Sequence, residues 1–157
     1  MIYAFYVLSI TILVILDQYV KNLVVMNIEL GKQIPLIDNF FSLTYVRNYG
    51  AGFSILQNET VFLTALSIIA IIVLSYMLVK ARKNDTLSII AYILIISGAI
   101  GNLIDRVRYG YVVDFLDFII FGYDYPVFNI ADSFITIGCF ILIIMVILET
   151  KNAKNKA

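Results

Sequence analysis

Four long apolar runs dominate the sequence, and they constrain the fold more than any other feature. They cover approximately residues 2–26, 61–79, 87–104 and 127–148. A helix that crosses a bilayer needs about 20 mostly apolar residues, and it satisfies its own backbone hydrogen bonds within the segment. Each run is near that length. The sequence therefore predicts an all-α membrane protein with four transmembrane helices, forming a single domain over residues 1–157.

The composition agrees with a membrane protein and excludes several other classes. Hydrophobic residues make up 62% of the chain and charged residues 14%, whereas soluble domains have about 45–50% and 25%. The first run lacks a basic segment before it and a small-residue cleavage site after it, so we expect a retained helix rather than a signal peptide. The net charge of +0 indicates no nucleic-acid partner. A single cysteine excludes an intrachain disulfide.

The charges of the connecting segments predict an orientation. Four spans place both termini on one side of the membrane. The loop at 80–86 is basic, and so is the tail after Leu148. Because basic loops stay in the cytoplasm, we expect both termini and this loop to be cytoplasmic. Four aspartates then meet at the outer end of the bundle: Asp17, Asp105, Asp114 and Asp132.

The segment between the first two spans, about residues 27–59, is too long for a plain turn. Residues 40–46 are aromatic and β-branched with partial alternation, which is typical of a strand. Residues 48–52 contain two glycines and are typical of a turn, and 53–56 could return as a second strand. We therefore expect a small β element on the outer membrane surface. Residues 105–126 are expected to form an extracytoplasmic loop.

The position of Asp132 indicates a functional site. It lies inside the last apolar run, and a carboxylate in or near hydrocarbon is costly unless it has a use. Asp114 precedes the same run, and the chain contains no histidine. Nucleophiles activated by histidine and zinc sites built on histidine are therefore excluded. A pair of close carboxyl groups remains, one protonated and one charged, which can polarise a carbonyl and activate a water.

Spacing alone leaves two alternatives open. The aspartates could form an ion or proton pathway in a small transporter, or they could be structural contacts in a membrane scaffold. A pathway needs polar groups through the whole membrane, whereas these cluster at one face. A scaffold has no use for so many costly polar groups. Nearby, Gly98 and Gly101 indicate close helix packing, while Asn102 and Arg106 could position the carboxyl groups.

Five motifs, in order and across nearly the whole chain, resemble the lipoprotein signal peptidase family, also called signal peptidase II. The first is Asp17-Gln18-x-x-Lys21. The others are Arg47-Asn48-x-Gly50-Ala51-Gly52-Phe53-Ser54, Gly98-Ala99-Ile100-Gly101-Asn102-Leu103-Ile104-Asp105-Arg106, Val112-Val113-Asp114-Phe115 and Phe128-Asn129-Ile130-Ala131-Asp132-Ser133. No single motif is specific, but the ordered set of five is.

The resemblance implies an aspartic endopeptidase of the bacterial inner membrane. It would cut prolipoproteins that carry a diacylglyceryl group, on the N-terminal side of the lipobox cysteine. The family's catalytic aspartates correspond to Asp114 and Asp132. Its substrate-binding or supporting positions correspond to Asp17, Lys21, Asn48, Asn102, Arg106, Asn129 and Ala131.

The resemblance also implies further features of the fold and its ligands. The family has an extracytoplasmic β-cradle and a short surface helix near the catalytic loop. It is inhibited by cyclic peptides such as globomycin, and it uses no cofactor and no metal. We therefore expect the lipid-modified substrate and membrane lipid as partners, and a monomeric enzyme whose active site lies near the outer face.

Overall fold

The computed structural model describes residues 2–50, 56–82 and 85–154. The described part of the chain contains four helices: α1 (Ile2–Asn27), α2 (Thr60–Lys80), α3 (Thr86–Tyr109) and α4 (Ile130–Lys154). All four contain a window long and apolar enough to span a membrane. The prediction of four transmembrane helices is therefore confirmed.

Three helix boundaries differ from the apolar runs by three residues or more. Helix α4 continues past the last run to Lys154, and the other two differences have a local cause. Helix α3 continues beyond the run to Tyr109, where Gly110 takes the left-handed conformation (φ 77°) and ends it. Helix α4 begins at Ile130 rather than at 127, because Phe128 forms an isolated β-bridge with Leu116. Hydrophobicity marks the extent of the hydrocarbon contact, but the backbone hydrogen bonds decide where a helix begins and ends.

Helix α3 is the centre of the bundle. The apolar window of α3 is 56% buried, whereas those of the other three helices are 11% buried. Close packing at its glycines makes this possible. A Cβ atom at Gly101 would lie only 2.5 Å from Asp17 Oδ2, and one at Gly98 would run into the carbonyl oxygen of Ala131. Both predicted packing positions thus face neighbouring helices directly.

Gly98→Ala should destabilise the bundle by about 1–3 kcal/mol, because the added methyl group meets the rigid backbone of α4. Thermal unfolding in detergent measures the effect. Ala65→Leu, which adds volume on an exposed face of α2, is the matched control and should unfold near the wild-type temperature. An unchanged melting temperature for Gly98→Ala would contradict the close approach of α3 and α4.

A four-stranded antiparallel sheet covers one end of the bundle in the order β1-β2-β3-β4. The strands are β1 (Gln33–Ile37), β2 (Phe41–Asn48), β3 (Val112–Ile120) and β4 (Tyr123–Asp124). The predicted β element is therefore confirmed. The segment expected to be a loop, 105–126, instead supplies the end of α3 and two strands. Its Val112–Ile120 stretch is extended because it pairs with β2, which is distant in sequence.

Two expectations concern residues next to this sheet. Residues 51–55, which carry most of the predicted turn and return strand, lie outside the described residues. Within the described ranges, the helices are the four spans, and the expected short surface helix is not found among them.

Candidate active site

Asp114 and Asp132 come together around one asparagine. Asp114 lies in strand β3, and Asp132 lies in the first turn of helix α4. The side-chain amide of Asn129 donates to Asp114 Oδ1 at 2.6 Å, and its backbone N–H donates to Asp132 Oδ2 at 3.1 Å. One residue therefore contacts both carboxyl groups.

The start of helix α4 fixes the Asp132 side chain. Asn129 Oδ1 accepts a hydrogen bond from the backbone N–H of Asp132 at 2.9 Å, and the Asp132 carboxylate accepts from the backbone N–H of Asn129. This reciprocal pair is a capping box, which satisfies two donors at the helix N-terminus. Asp132 is thus part of the helix cap, and its carboxylate has one defined orientation.

Each of the four carboxyl oxygens accepts a hydrogen bond from an N–H group. In addition to the bonds from Asn129, Asn102 Nδ2 donates to Asp132 Oδ1 at 2.8 Å. Asn48 Nδ2 donates to Asp114 Oδ2 at 2.9 Å. Neutral amide and backbone donors of this kind hold a carboxyl group in place whether or not it carries a charge.

The two carboxyl groups differ in their surroundings. Asp114 is 1% exposed, while Asp132 is only partly buried. Burial, and after it the negative charge of Asp132, raises the pKa of Asp114 to about 7. Near neutral pH, Asp114 therefore holds a proton in a large fraction of the molecules.

A fully buried ion cluster lies behind the pair. Lys21 Nζ is 3.0 Å from Asp17 Oδ2 and 3.0 Å from Asp105 Oδ2. The backbone N–H of Ala131 donates to Asp17 at 3.0 Å, and that of Val113 donates to Asp105 at 3.1 Å. The cluster therefore joins α1 and α3 to the starts of α4 and β3, the two elements that carry Asp132 and Asp114.

The cluster reaches the carboxyl pair through Asn102. The side-chain oxygen of Asn102 accepts from Lys21 Nζ at 2.9 Å and from Asn129 Nδ2 at 3.1 Å. Because both of these groups are donors, they hold the oxygen of the Asn102 amide on their side. Its NH₂ group is left to face Asp132.

The carboxyl pair opens into a cavity of about 650 Å³. Its polar lining consists of the two aspartates with Asn48, Asn102 and Arg106, together with Ser133 and Thr136. Apolar side chains of β3, α4 and the connection between them form the rest. Arg106 also donates to the carbonyl oxygen of Gly50 at 3.0 Å, which ties α3 to the segment after β2.

The structure divides the predicted site residues into two groups. Five of them line the cavity: Asn48, Asn102, Arg106, Asp114 and Asp132. Asn129 and Ala131 are buried beneath it, and Asp17 and Lys21 are buried behind it, at 0% and 2% exposure. Of these four residues, Asn129 contacts both carboxyl groups directly, whereas the other three act through other side chains and backbone groups.

Sequence reasoning missed Gln18 as a member of the cluster. Its side-chain amide donates to Asp105 Oδ1 at 2.9 Å and to the carbonyl oxygen of Gly101 at 3.1 Å. The available signal was its position beside Asp17, in the polar break of the first apolar run.

Asp117 is the nearby carboxylate that the structure separates from the pair. It accepts from Gln33 and Thr44, and alternation along β3 points it away from Asp114. Within residues 2–50, 56–82 and 85–154, carboxylate and sulfur side chains form no cluster suited to a metal ion.

The sequence matches one family model and a curated relative over most of its length. Residues 9–148 match the model of the family described as signal peptidase (SPase) II. A lipoprotein signal peptidase of Streptococcus thermophilus is 48% identical over 139 residues, covering 87% of this chain and 88% of that protein.

Two solved structures, each described as that of a bacterial membrane enzyme, share the fold. The first has a TM-score of 0.89 at 39% identity, and the match covers 95% of this chain and 91% of the solved chain. The second has a TM-score of 0.82 at 39% identity, and the match covers 91% of this chain and 92% of the solved chain.

Proposed function

This chain belongs to the signal peptidase II family, and from that membership we propose that it removes signal peptides from prolipoproteins as a membrane aspartic endopeptidase. The scissile bond lies on the N-terminal side of the lipobox cysteine, which carries a diacylglyceryl group. The observation that supports this most is the Asp114–Asp132 pair, held by four N–H donors in a cavity with apolar walls.

In the proposed reaction the two aspartates exchange roles as acid and base. Charged Asp132 takes a proton from water, whose oxygen attacks the scissile carbonyl carbon, while Asp114 gives its proton to the carbonyl oxygen. The resulting diol returns one proton to Asp114 as the C–N bond breaks. Asp132 gives its proton to the leaving amine nitrogen, so both groups end as they began. The deeper burial of Asp114 supports its assignment as the initial acid.

The walls of the cavity fit a lipid-anchored substrate. The α4 side of the cavity includes Ile135 and Ile137, which lie in the membrane span. A diacylglyceryl group holds the peptide in the bilayer, and contacts with its acyl chains can orient the scissile bond over the carboxyl pair. We propose that cyclic peptides such as globomycin compete for the same cavity.

The supporting residues act at two distances from the reaction. Arg106 and Asn48 face the cavity and are placed to contact the substrate backbone. Asp17 and Lys21 act as positioning residues, because Lys21 orients the Asn102 amide that donates to Asp132. Asn129 and Ala131 hold the start of α4, through the helix cap and the bond to Asp17.

We place the active site near the outer face of a bacterial cytoplasmic membrane. The described part of the 80–86 loop, with Lys80 and Arg82, and the C-terminal end of α4 lie at the opposite end of the bundle from the carboxyl pair. By the positive-inside rule, that basic end and both termini are cytoplasmic.

The direct test uses the purified protein in detergent with a peptide that contains a lipobox. We expect cleavage immediately before the cysteine when it carries a diacylglyceryl group, and little cleavage of the same peptide with a free cysteine. Mass spectrometry of the products locates the bond. Equal cleavage of both peptides would contradict the proposed substrate.

The pH dependence of kcat/KM tests the assignment of the acid. Because burial and the charge of Asp132 raise the pKa of Asp114 to about 7, Asp114 loses its proton as the pH rises through that value. We therefore expect kcat/KM to fall on the alkaline side of about pH 7. The folded state also binds this proton more tightly than the unfolded state. The contribution of Asp114 to stability is therefore lost as the pH rises from the ordinary carboxyl value of 3.8 to about 7, and it changes little above that. A rate that increases steadily through neutral pH would contradict Asp114 as the acid.

A further inference from the structure

The turn between β3 and β4 combines two unfavourable features in one residue. Ile120 pairs with Tyr123, so the loop consists of Phe121 and Gly122, with φ angles of 51° and 77°. Two positive φ values identify a type I′ hairpin turn, whose first position favours Asn, Asp or Gly. Phenylalanine is strained in this conformation, and the Phe121 side chain is also fully exposed, at 106%. Its presence needs a reason outside the turn.

The neighbouring turn provides an internal comparison. Asn39, between β1 and β2, has a φ of 56°, and asparagine tolerates this conformation well. The two turns lie at the same end of the sheet, because Phe41 pairs with Phe118 and the backbone N–H of Ile119 donates to the carbonyl oxygen of Phe40 at 2.9 Å. At the corresponding positive-φ position between β1 and β2, the residue is therefore one that adopts this conformation with little strain.

Phe121 belongs to a cluster of exposed apolar side chains at this end of the sheet. We call the cluster the apolar tip; its members are Ile37, Phe40, Ile120, Phe121 and Tyr123. Ile120 also lines the cavity of the carboxyl pair, together with Ile137. Ile137 lies about 10 Å along α4 from its start, inside the membrane span. The cavity therefore connects the apolar tip with the depth at which α4 already contacts lipid.

We propose that the apolar tip inserts into the bilayer and that Phe121 is its leading side chain. The occupant of this surface is membrane lipid rather than another protein, because the cavity that Ile120 lines reaches Ile137, inside the membrane span of α4. Residues 36–41 and 119–125 contain no lysine or arginine, but they include Asp38 and Asp124. Insertion therefore depends on burial of apolar surface and not on attraction to anionic headgroups. The proposal does not depend on the peptidase reaction, because it requires only that the four helices span a membrane.

A single tryptophan reports the position of the tip. The chain has no tryptophan, so Phe121→Trp introduces the only one. In phosphatidylcholine vesicles we expect brominated acyl chains to quench its fluorescence, aqueous acrylamide to quench it weakly, and high salt to change neither result. Ile143→Trp, on an exposed face of α4, is the control for a residue in lipid. Strong quenching by acrylamide with none by brominated lipid would overturn the proposal.

A second variant separates insertion from folding. Phe121→Asn places the favoured residue in the turn, so the melting temperature in detergent should stay the same or rise. With Tyr123→Trp as the reporter, adding Phe121→Asn should weaken quenching by brominated lipid, because the leading apolar side chain is gone. Asn39→Gly is the matched turn variant and should leave that quenching unchanged. Equal quenching with and without Phe121 would show that Phe121 does not lead insertion, and a lower melting temperature would contradict the strained turn.

Discussion

Asp114→Asn and Asp132→Asn should each lower the rate of prolipoprotein cleavage by at least about a thousandfold. An asparagine keeps the size of the side chain but can neither accept the proton of the attacking water nor supply one to the carbonyl oxygen, and proton transfer of this kind contributes roughly 10²–10⁴. Single-turnover cleavage of the lipid-modified peptide measures the loss. The double variant should be no slower than the slower single variant, because the two groups act as a unit.

The controls separate chemistry from folding. Asp124→Asn removes an exposed carboxylate of β4 and should cleave at the wild-type rate. Binding of the inactive variants to a globomycin-type cyclic peptide should remain measurable, because the cavity keeps its shape. If either dyad variant cleaves the peptide at close to the wild-type rate, the carboxyl-pair mechanism is wrong.

Lys21→Met should have the largest effect on stability, a loss of about 3–5 kcal/mol in the free energy of unfolding. Lys21 is the shared ion-pair partner of Asp17 and Asp105, and all three side chains are buried. Removing the ammonium group leaves two carboxylates without their cation in a dry environment. Thermal and chemical unfolding in detergent measure the loss, with Lys32→Met, an exposed lysine, as the matched control.

A double variant distinguishes positioning from mere support. Asp17→Asn combined with Lys21→Met keeps the net charge of the cluster with Asp105 at its original value and should recover part of the stability. It does not restore the donor to the Asn102 oxygen, so kcat should remain low while KM changes little. Recovery of kcat together with stability would show that Lys21 only supports the fold.

The sequence predicted those parts of the fold that follow from local pattern. The four spans followed from the length that hydrocarbon demands, and strand β2 from its aromatic and β-branched residues. Strand β3 was missed because its extended form depends on pairing with β2, which lies far away in the chain. The same pairing decided the role of Asp117, since a strand turns it away from Asp114 whereas a helix would have placed both on one face.

By itself, the sequence determined the four spans, the gathering of aspartates at one end of the bundle and, through the absence of histidine and the five ordered motifs, the family and the residues of the pair. Only the tertiary structure decided how these residues are arranged around one another. It places Asp114 deeper than Asp132, joins both through Asn129, and sets Lys21 behind Asn102. The physical reason is that the proton affinity and orientation of a carboxyl group depend on its burial and hydrogen-bond donors. Here those donors come from β2, α3 and the start of α4, which only folding brings together.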